Sequence, residues 1–380
     1  MRTYKIALIF GFLATFCAVF MLFRGVFASL IDAFFGEIVL FPLSQCLAAA
    51  VLGFGLAWTT VVIRSVTLKL IIAIVALLEI AVLGWLIDWP PFTALTAGVL
   101  GLTFGLAYSL SPAGRARRRV ADTLEGRVSR DTNSRAVTEG DRFPFQGEEC
   151  IATVVVCQVL NLQALAENIR PQDLATLSNQ FTQTATEALR EAGGVVTHCS
   201  VEEVCAVFGA LPGDIDPAAQ ACRAALALQQ RLATMGADCR TAVETGPLIA
   251  GTLGGEFGVT GEALDAARRL CRANLKYGTR LLAGCGAYIA ARGAAEARPV
   301  DLLRGEWVTE DIYELLANAG GLSPEEVQHR DAFWVGVVLS RAGQRDTAIR
   351  AFQALLPGKE SDEEEDPLVR WHLEQLGVRS

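Results

Sequence analysis

Residues 196–211, VTHCSVEEVCAVFGAL, decide how the second half of the chain reads. Residues 195–199 and 204–208 are rich in β-branched and small apolar side chains, and a polar step separates them. The pattern predicts two short strands joined as a hairpin. Two carboxylates, Glu202 and Glu203, stand at the step. Acids at a hairpin tip have two readings: a solvated turn, because loops face water, or one wall of a cation site.

On both sides of the hairpin the pattern is mixed α and β. Residues 151–157, IATVVVC, form the continuous apolar run of a central strand. A helix is expected over 162–169, ended by Pro171. A longer one follows over 172–192, with Leu174, Leu177, Phe181, Ala185 and Leu189 on one face and Gly193-Gly194 as its stop. Beyond the hairpin come a helix over 217–235, a strand over 238–244 and a short apolar segment over 247–253. A helix over 262–274 and a strand over 280–283 complete the series. This order predicts an antiparallel-rich α+β sandwich with helices on one face of a sheet.

The first 111 residues are almost free of charge, which explains why the 380-residue chain is 52% hydrophobic. Four membrane spans are expected there, over 6–23, 43–63, 70–87 and 92–110, with an amphipathic piece over 31–40. Each approaches the ~20 apolar residues that a bilayer requires. Arg2 and Lys5, then Arg64 and Lys69, then Arg115, Arg117, Arg118 and Arg119 flank these spans on one side. Cytoplasmic loops carry the excess of basic residues, so both termini are expected in the cytoplasm. The loop Asp88-Trp89-Pro90-Pro91 has no positive charge and fits the outside, and Arg24 is the exception. Residues 113–148 read as a linker. Its start is expected to continue the last span as a helix, with arginines on anionic lipid. Its end has turn formers and little apolar periodicity.

The net charge of −8 gives no reason to expect nucleic-acid binding. The ten cysteines include no CxxC pair, which favours buried, reduced thiols over a disulfide framework or zinc site.

Residues 152–316 resemble the class III nucleotidyl cyclase catalytic domain. The likeness runs in order through ATVVVCQVLNLQALAE, NQFTQTATEALREAGGVVTHCSVEEVCAVFGA, AAQACRAALALQQRL, RTAVETGPLIAGTLGGEFGVTGEALDAARRL, YGTRLL and DIYELL. The resemblance implies an α+β ferredoxin-like (nucleotide cyclase) domain that pairs with a second copy or a related chain. In the family, two aspartates hold two divalent cations, a lysine and an Asp or Thr read the purine, and an asparagine and an arginine serve the transition state. Carried over, the metal positions fall on Gln158 and Glu202, and the base-reading positions on His198 and Gly258. The transition-state pair falls on Asp265 and Arg269, and only Arg269 is unchanged. No cofactor is therefore expected, and Mg²⁺ or Mn²⁺ only with residual activity. The pairing face has lost charge at Gln158 and Gly258 and gained Leu162 and Val201, which favours burial against another chain.

Residues 331–356 read as two helices joined at Gly343, with Phe333, Gly336, Leu339, Ala348 and Phe352 spaced as in one tetratricopeptide repeat. One such hairpin cannot bury its own faces, so it must pack on the cyclase-like domain or on a protein partner. The stretch 358–367 is acidic, and another helix begins after it. The expected organisation is a four-helix transmembrane domain over 1–112, a linker over 113–148, the cyclase-like domain over 149–318 and the helical segment over 322–380. The function expected is a catalytically silent signalling or assembly module in a bacterial inner membrane. The alternatives are a cyclase making cyclic AMP or GMP, alone or with an intact subunit, and a nucleotide sensor without turnover.

Overall fold

The computed structural model describes residues 6–20, 42–63, 66–86, 92–139, 142–235, 237–291, 293–304, 309–356 and 365–378. Arg2, Lys5, Arg24, Arg64, the piece over 31–40, the loop Asp88-Trp89-Pro90-Pro91 and residues 358–364 of the acidic stretch lie outside them. The chain divides into two compact units, Met1–Val120 with Val137–Asp141, and Ala121–Ala136 with Arg142–Ser380.

The first unit contains α1 (Ile6–Phe20), α2 (Pro42–Val62), α3 (Val66–Leu86) and α4 (Phe92–Leu110). Two helices, Thr67–Leu86 and Phe92–Leu110, are long and apolar enough to cross a membrane, whereas Ile6–Phe20 and Cys46–Val62 are shorter apolar helices. Small side chains lie inside: Ala94, Ala97, Gly98, Gly101 and Gly105 form the buried face of α4. A methyl group on Gly101 would stand 2.5 Å from the Gly53 carbonyl oxygen, so α2 and α4 touch backbone to backbone. Large apolar side chains lie outside: Ile71, Ile74, Leu78, Val82 and Trp85 of α3 are exposed.

The helix α5 (Pro112–Thr123) follows α4, and α6 (Arg130–Thr138) occupies the end of the expected linker, where no regular element was foreseen. Ser129 starts α6 by accepting the Thr132 N–H at 3.2 Å. Burial of Thr132 and Ala136 then holds it, so tertiary packing replaces the missing periodicity.

In the second unit, eight strands form one sheet: β1 (Glu148–Val159), β2 (Val195–Cys199), β3 (Glu203–Phe208), β4 (Cys239–Leu253), β5 (Glu256–Thr260), β6 (Leu281–Gly284), β7 (Ala295–Arg304) and β8 (Thr309–Asn318). The order is β2-β3-β1-β4-β6-β8-β7, with β5 on β4. Residues 247–253 are not a separate segment but the second half of β4. Pro247 is tolerated because β6 pairs only Thr241–Val243 and β5 only Ile249–Leu253. Its missing N–H therefore falls where β4 has a neighbour on one side alone.

The helices are α7 (Leu162–Asn168), α8 (Pro171–Glu191), α9 (Pro217–Leu232), α10 (Glu262–Tyr277), α11 (Cys285–Ala290), α12 (Pro324–Arg341), α13 (Arg345–Gln353) and α14 (Pro367–Gln375). They cover both faces of the sheet, not one as expected. Strand side chains alternate between faces. Val155, Cys157 and Val159 pack into one core with Phe181 and Leu189 of α8 and Leu228 of α9. Val154, Val156 and Gln158 point the other way, where α10 lies with Ala267, Leu270 and Cys271 buried. The Cys271 thiol donates to the Arg240 carbonyl of β4 at 3.2 Å. Of the other cysteines in this unit, Cys157, Cys205, Cys222 and Cys239 are buried, but Cys199 is exposed on β2.

The edge strand β2 is strapped by the segment before α6. The Val196 N–H donates to the Arg127 carbonyl at 2.9 Å, and the Arg127 guanidinium donates to the carbonyls of Thr197 and Phe257. This closes an edge that would otherwise invite pairing.

The C-terminal helices pack on the domain at the opposite, β7 side. Arg298 of β7 lies buried between Glu314, at 2.7 Å, and Asp366, the cap of α14. His372 donates from Nε2 to the Val300 carbonyl at 2.9 Å and stacks on Phe352. Burial pushes its imidazole down to about 4, so it is neutral at pH 7. These helices therefore leave the hairpin side of the sheet uncovered.

Candidate functional site

Gln158, near the end of β1, stands directly across from Glu203, the first residue of β3. Directly paired residues share a face, so their side chains meet. Gln158 Nε2 donates to Glu203 Oε2 at 2.6 Å. From α10, Arg268 approaches the same carboxylate as a fork, with Nη2 2.6 Å from Oε1 and Nε 3.1 and 3.2 Å from the two oxygens. The Glu203 side chain is only 12% exposed. Burial pushes its carboxyl up, but the bonds from Arg268 and Gln158 outweigh this and hold it below the usual carboxylate range.

The carboxylate opposite Gln158 is thus Glu203, not Glu202, which the family pattern selects. Glu202 is exposed, and its part in the pairing is its carbonyl, which accepts the Val159 N–H at 2.9 Å. A one-residue step along a strand reverses the side chain, and this step decides which acid meets α10.

An open cavity of about 480 Å³ lies beside the pair. Gln158, Gln163, His198, Glu202, Glu203 and Arg272 are among its lining residues. Three of the six residues singled out in the sequence therefore meet here. The other three lie elsewhere: Gly258 pairs with Gly251 in the β4–β5 ladder, and Asp265 and Arg269 are exposed on α10. Leu162, expected on an apolar pairing face, is partly buried: it lines the same cavity and packs against the α8–α9 core, while Val201 is 55% exposed.

The donor set suits an internal ion pair better than a divalent cation. Mg²⁺ needs near-octahedral oxygen ligands at close range. Here both Glu203 oxygens already accept bonds from cationic or amide nitrogens. The remaining Gln158 oxygen, Oε1, is buried with no partner, and it brings no charge. A bidentate guanidinium on a carboxylate is among the stronger polar contacts available to a protein.

A second acid on the α10 face, Glu244 of β4, was not singled out in the sequence. It is buried against Gly284, where a methyl group would stand 1.5 Å from its Oε2. It accepts the Thr245 N–H at 2.8 Å and a backbone N–H from Ala287 of α11. Burial pushes its carboxyl up to about 7, with the nearby Glu310 charge adding to the rise. No local signal marks it, because TAVETG reads as an ordinary strand end.

No protein-family model matches the sequence. Among curated proteins, it is 30% identical over 201 residues to an uncharacterized protein of Mycobacterium tuberculosis, a match covering 51% of this chain and 35% of that one. A counterpart in Mycobacterium bovis matches to the same extent, and a second M. tuberculosis protein is 30% identical over 190 residues. The chain spans about a third of the length of these relatives. Among solved structures it is similar to the adenylyl cyclase CyaB from P. aeruginosa, with 15% identity, a TM-score of 0.42 and coverage of 47% of this chain and 100% of that one. It is also similar to the guanylyl cyclase Cya2, with 16% identity, a TM-score of 0.40 and coverage of 47% and 97%.

Replacing Arg268 leaves a half-buried carboxylate with only an amide partner. Arg268→Ala is expected to destabilise the full chain at pH 7 by about 1–3 kcal/mol, read as a lower thermal midpoint in detergent. Because the folded Glu203 carboxyl lies below its unfolded value, this difference is present above about pH 4.5 and shrinks as pH falls through the folded pKa. An unchanged midpoint at pH 7 would contradict the ion pair.

Glu244 works in the opposite sense. Folding raises its pKa from 4.5 to about 7, so the folded state binds the extra proton in that window and loses stability as pH rises through it. Glu244→Gln keeps an acceptor and drops the charge. It is expected to stabilise the chain at pH 8 by up to about 3 kcal/mol and to change little at pH 4.5. Equal effects at both pH values would rule this out.

Proposed function

We propose that the chain is a multi-pass protein of a bacterial inner membrane whose cytoplasmic, cyclase-like domain no longer cyclises nucleotides and acts as a signalling or assembly module. The engagement of Glu203 by Arg268 and Gln158 carries this reading. Cyclisation in the family requires two cations to neutralise a triphosphate and activate a hydroxyl. Here a protein guanidinium supplies the charge that neutralises Glu203, and exposed Glu202, at the position the resemblance gives to a metal ligand, has only the neutral Gln158 as its counterpart. Gly258 has no side chain with which to read a base, and in a pair of such chains Asp265 would bring negative charge toward an anionic substrate in the other chain's site. Loss of one transition-state donor costs on the order of 3 kcal/mol in other enzymes. Several such positions depart together, although their effects need not add.

The membrane part of the proposal rests on the inverted packing of the first unit, with small residues inside and Leu78, Val82 and Trp85 outside. An apolar exterior of this kind marks contact with lipid or protein. With the basic flanks on one side, both termini are cytoplasmic. The domain pairs with a second copy or a related chain through the face around Gln158 and Val201, which the C-terminal helices leave open. We assign no metal or cofactor to it.

A second reading has one observation in its favour. Arg269 is exposed on α10, and although its charge is felt by Glu244 it is in no close ion pair among the described residues. It is free to serve the site of an intact cyclase partner, and such a pair would make cyclic AMP or GMP.

The full-length chain in detergent, given ATP or GTP with Mn²⁺, is expected to yield no cyclic nucleotide above a blank. Turnover that Arg269→Ala abolishes would overturn the proposal. Activity gained only on mixing with an intact cyclase, and lost with the same variant, would establish the second reading. For topology, a reporter fused after Ser380 is expected to be active in the cytoplasm, and activity confined to the periplasm would contradict the span count.

A further inference from the structure

One end of the first unit holds a polar cluster in otherwise apolar surroundings. Thr60 near the end of α2, Lys69 in the first turn of α3 and Ser109 near the end of α4 are all buried, Lys69 to 1% exposure. Ser109 Oγ donates its only hydrogen to the Thr60 carbonyl at 3.0 Å, so its lone pairs face Lys69, whose Nζ donates to it at 3.2 Å. An ammonium has three donors, and Ser109 satisfies one. Arg118 of α5 stands one turn after Gly114, where a methyl group would lie 3.3 Å from the Ser109 Cα, and its Nη2 is buried without a hydrogen-bond partner. Among the described residues no carboxylate forms an ion pair with either cation.

A buried lysine amine and a guanidinium with a buried unmet donor both lack a counter-charge among the described residues, and an anion between them would supply it. We propose that Lys69 and Arg118 together bind the phosphate of an anionic ligand, with Ser109 holding the lysine in place. The guanidinium fork matches the oxygens of a phosphate, and the ammonium adds a compact point charge. Two sources fit this chemistry, an anionic phospholipid headgroup and free inorganic phosphate. The position favours the headgroup: the cluster sits where three apolar helices end, just before the arginine-rich α5, at the level a headgroup takes if those helices cross a bilayer. This inference is independent of the role of the cyclase-like domain, and its phosphate arm does not require a membrane.

The test is thermal unfolding of the full chain in neutral detergent with phosphatidylglycerol, phosphatidylcholine or inorganic phosphate. Phosphatidylglycerol or phosphate is expected to raise the midpoint by roughly 5 °C over phosphatidylcholine. A rise with the lipid alone identifies a headgroup, and a rise with phosphate alone identifies the free anion. Lys69→Met combined with Arg118→Gln is expected to lose the rise. Arg115→Gln combined with Arg119→Gln, at two exposed positions of α5, is expected to keep it. Native mass spectrometry of the unaltered chain gives a second reading that needs no variant, expected to show an anionic lipid or phosphate retained in preference to phosphatidylcholine. No rise with either anion, an equal rise in the Lys69–Arg118 variant, or no preferential retention would overturn the site.

Discussion

A carboxylate that a sheet register places under a helix must be neutralised, and the way β1, β3 and α10 meet in the second unit depends on how this is done. Glu203 sits where β3 begins, opposite Gln158 of β1 and beneath Arg268 of α10. Its contacts join two strands and a helix at one point. Without the guanidinium, the half-buried charge would lack a counter-ion, and the α10 face would have to open to water. With it, the carboxylate is closed off by the protein's own positive charge. The two acids at the hairpin therefore face different surroundings. Glu202 takes the solvated role, and Glu203 the structural one.

Much of this fold was legible in the sequence. The hairpin, the long helix before it and the central strand were all marked by apolar runs and glycine stops, which are local signals. Three features were not legible, each for a physical reason. The identity of the facing acid depends on pleat phase, and the family pattern pointed to Glu202, one residue away from the side chain that turns toward α10. The continuity of β4 was hidden by Gly246-Pro247, because whether a proline interrupts a strand depends on which neighbours that strand has, not on its own residues. Helices on both faces could not be foreseen from α10, since its apolar stripe shows that it packs but not on which side. Arg268 carried no signal at all. A basic residue on an amphipathic helix is usually solvent-facing, and only the fold brings it over Glu203.

The remaining parts show the same division between local and tertiary information. The need for the C-terminal helices to pack on something was legible, because one helical hairpin cannot bury itself. That they dock through buried Arg298 and neutral His372 on the β7 side was not, and this choice leaves the Gln158 side open. In the first unit, the apolar helices were readable from runs of uncharged residues, but the burial of Lys69 was not. The sequence placed it among the loop charges, whereas the structure draws it between helix ends against Ser109.

The proposal that Arg268, rather than a metal ion, neutralises Glu203 is tested most directly by a paramagnetic titration of the full chain with Mn²⁺ in the presence and absence of ATP or GTP. The account predicts no Mn²⁺ bound at the hairpin at millimolar metal, with the free-ion signal unchanged by Glu203→Gln. Bound Mn²⁺ in the unaltered chain that disappears with Glu203→Gln would show that the carboxylate still holds metal, and would contradict it.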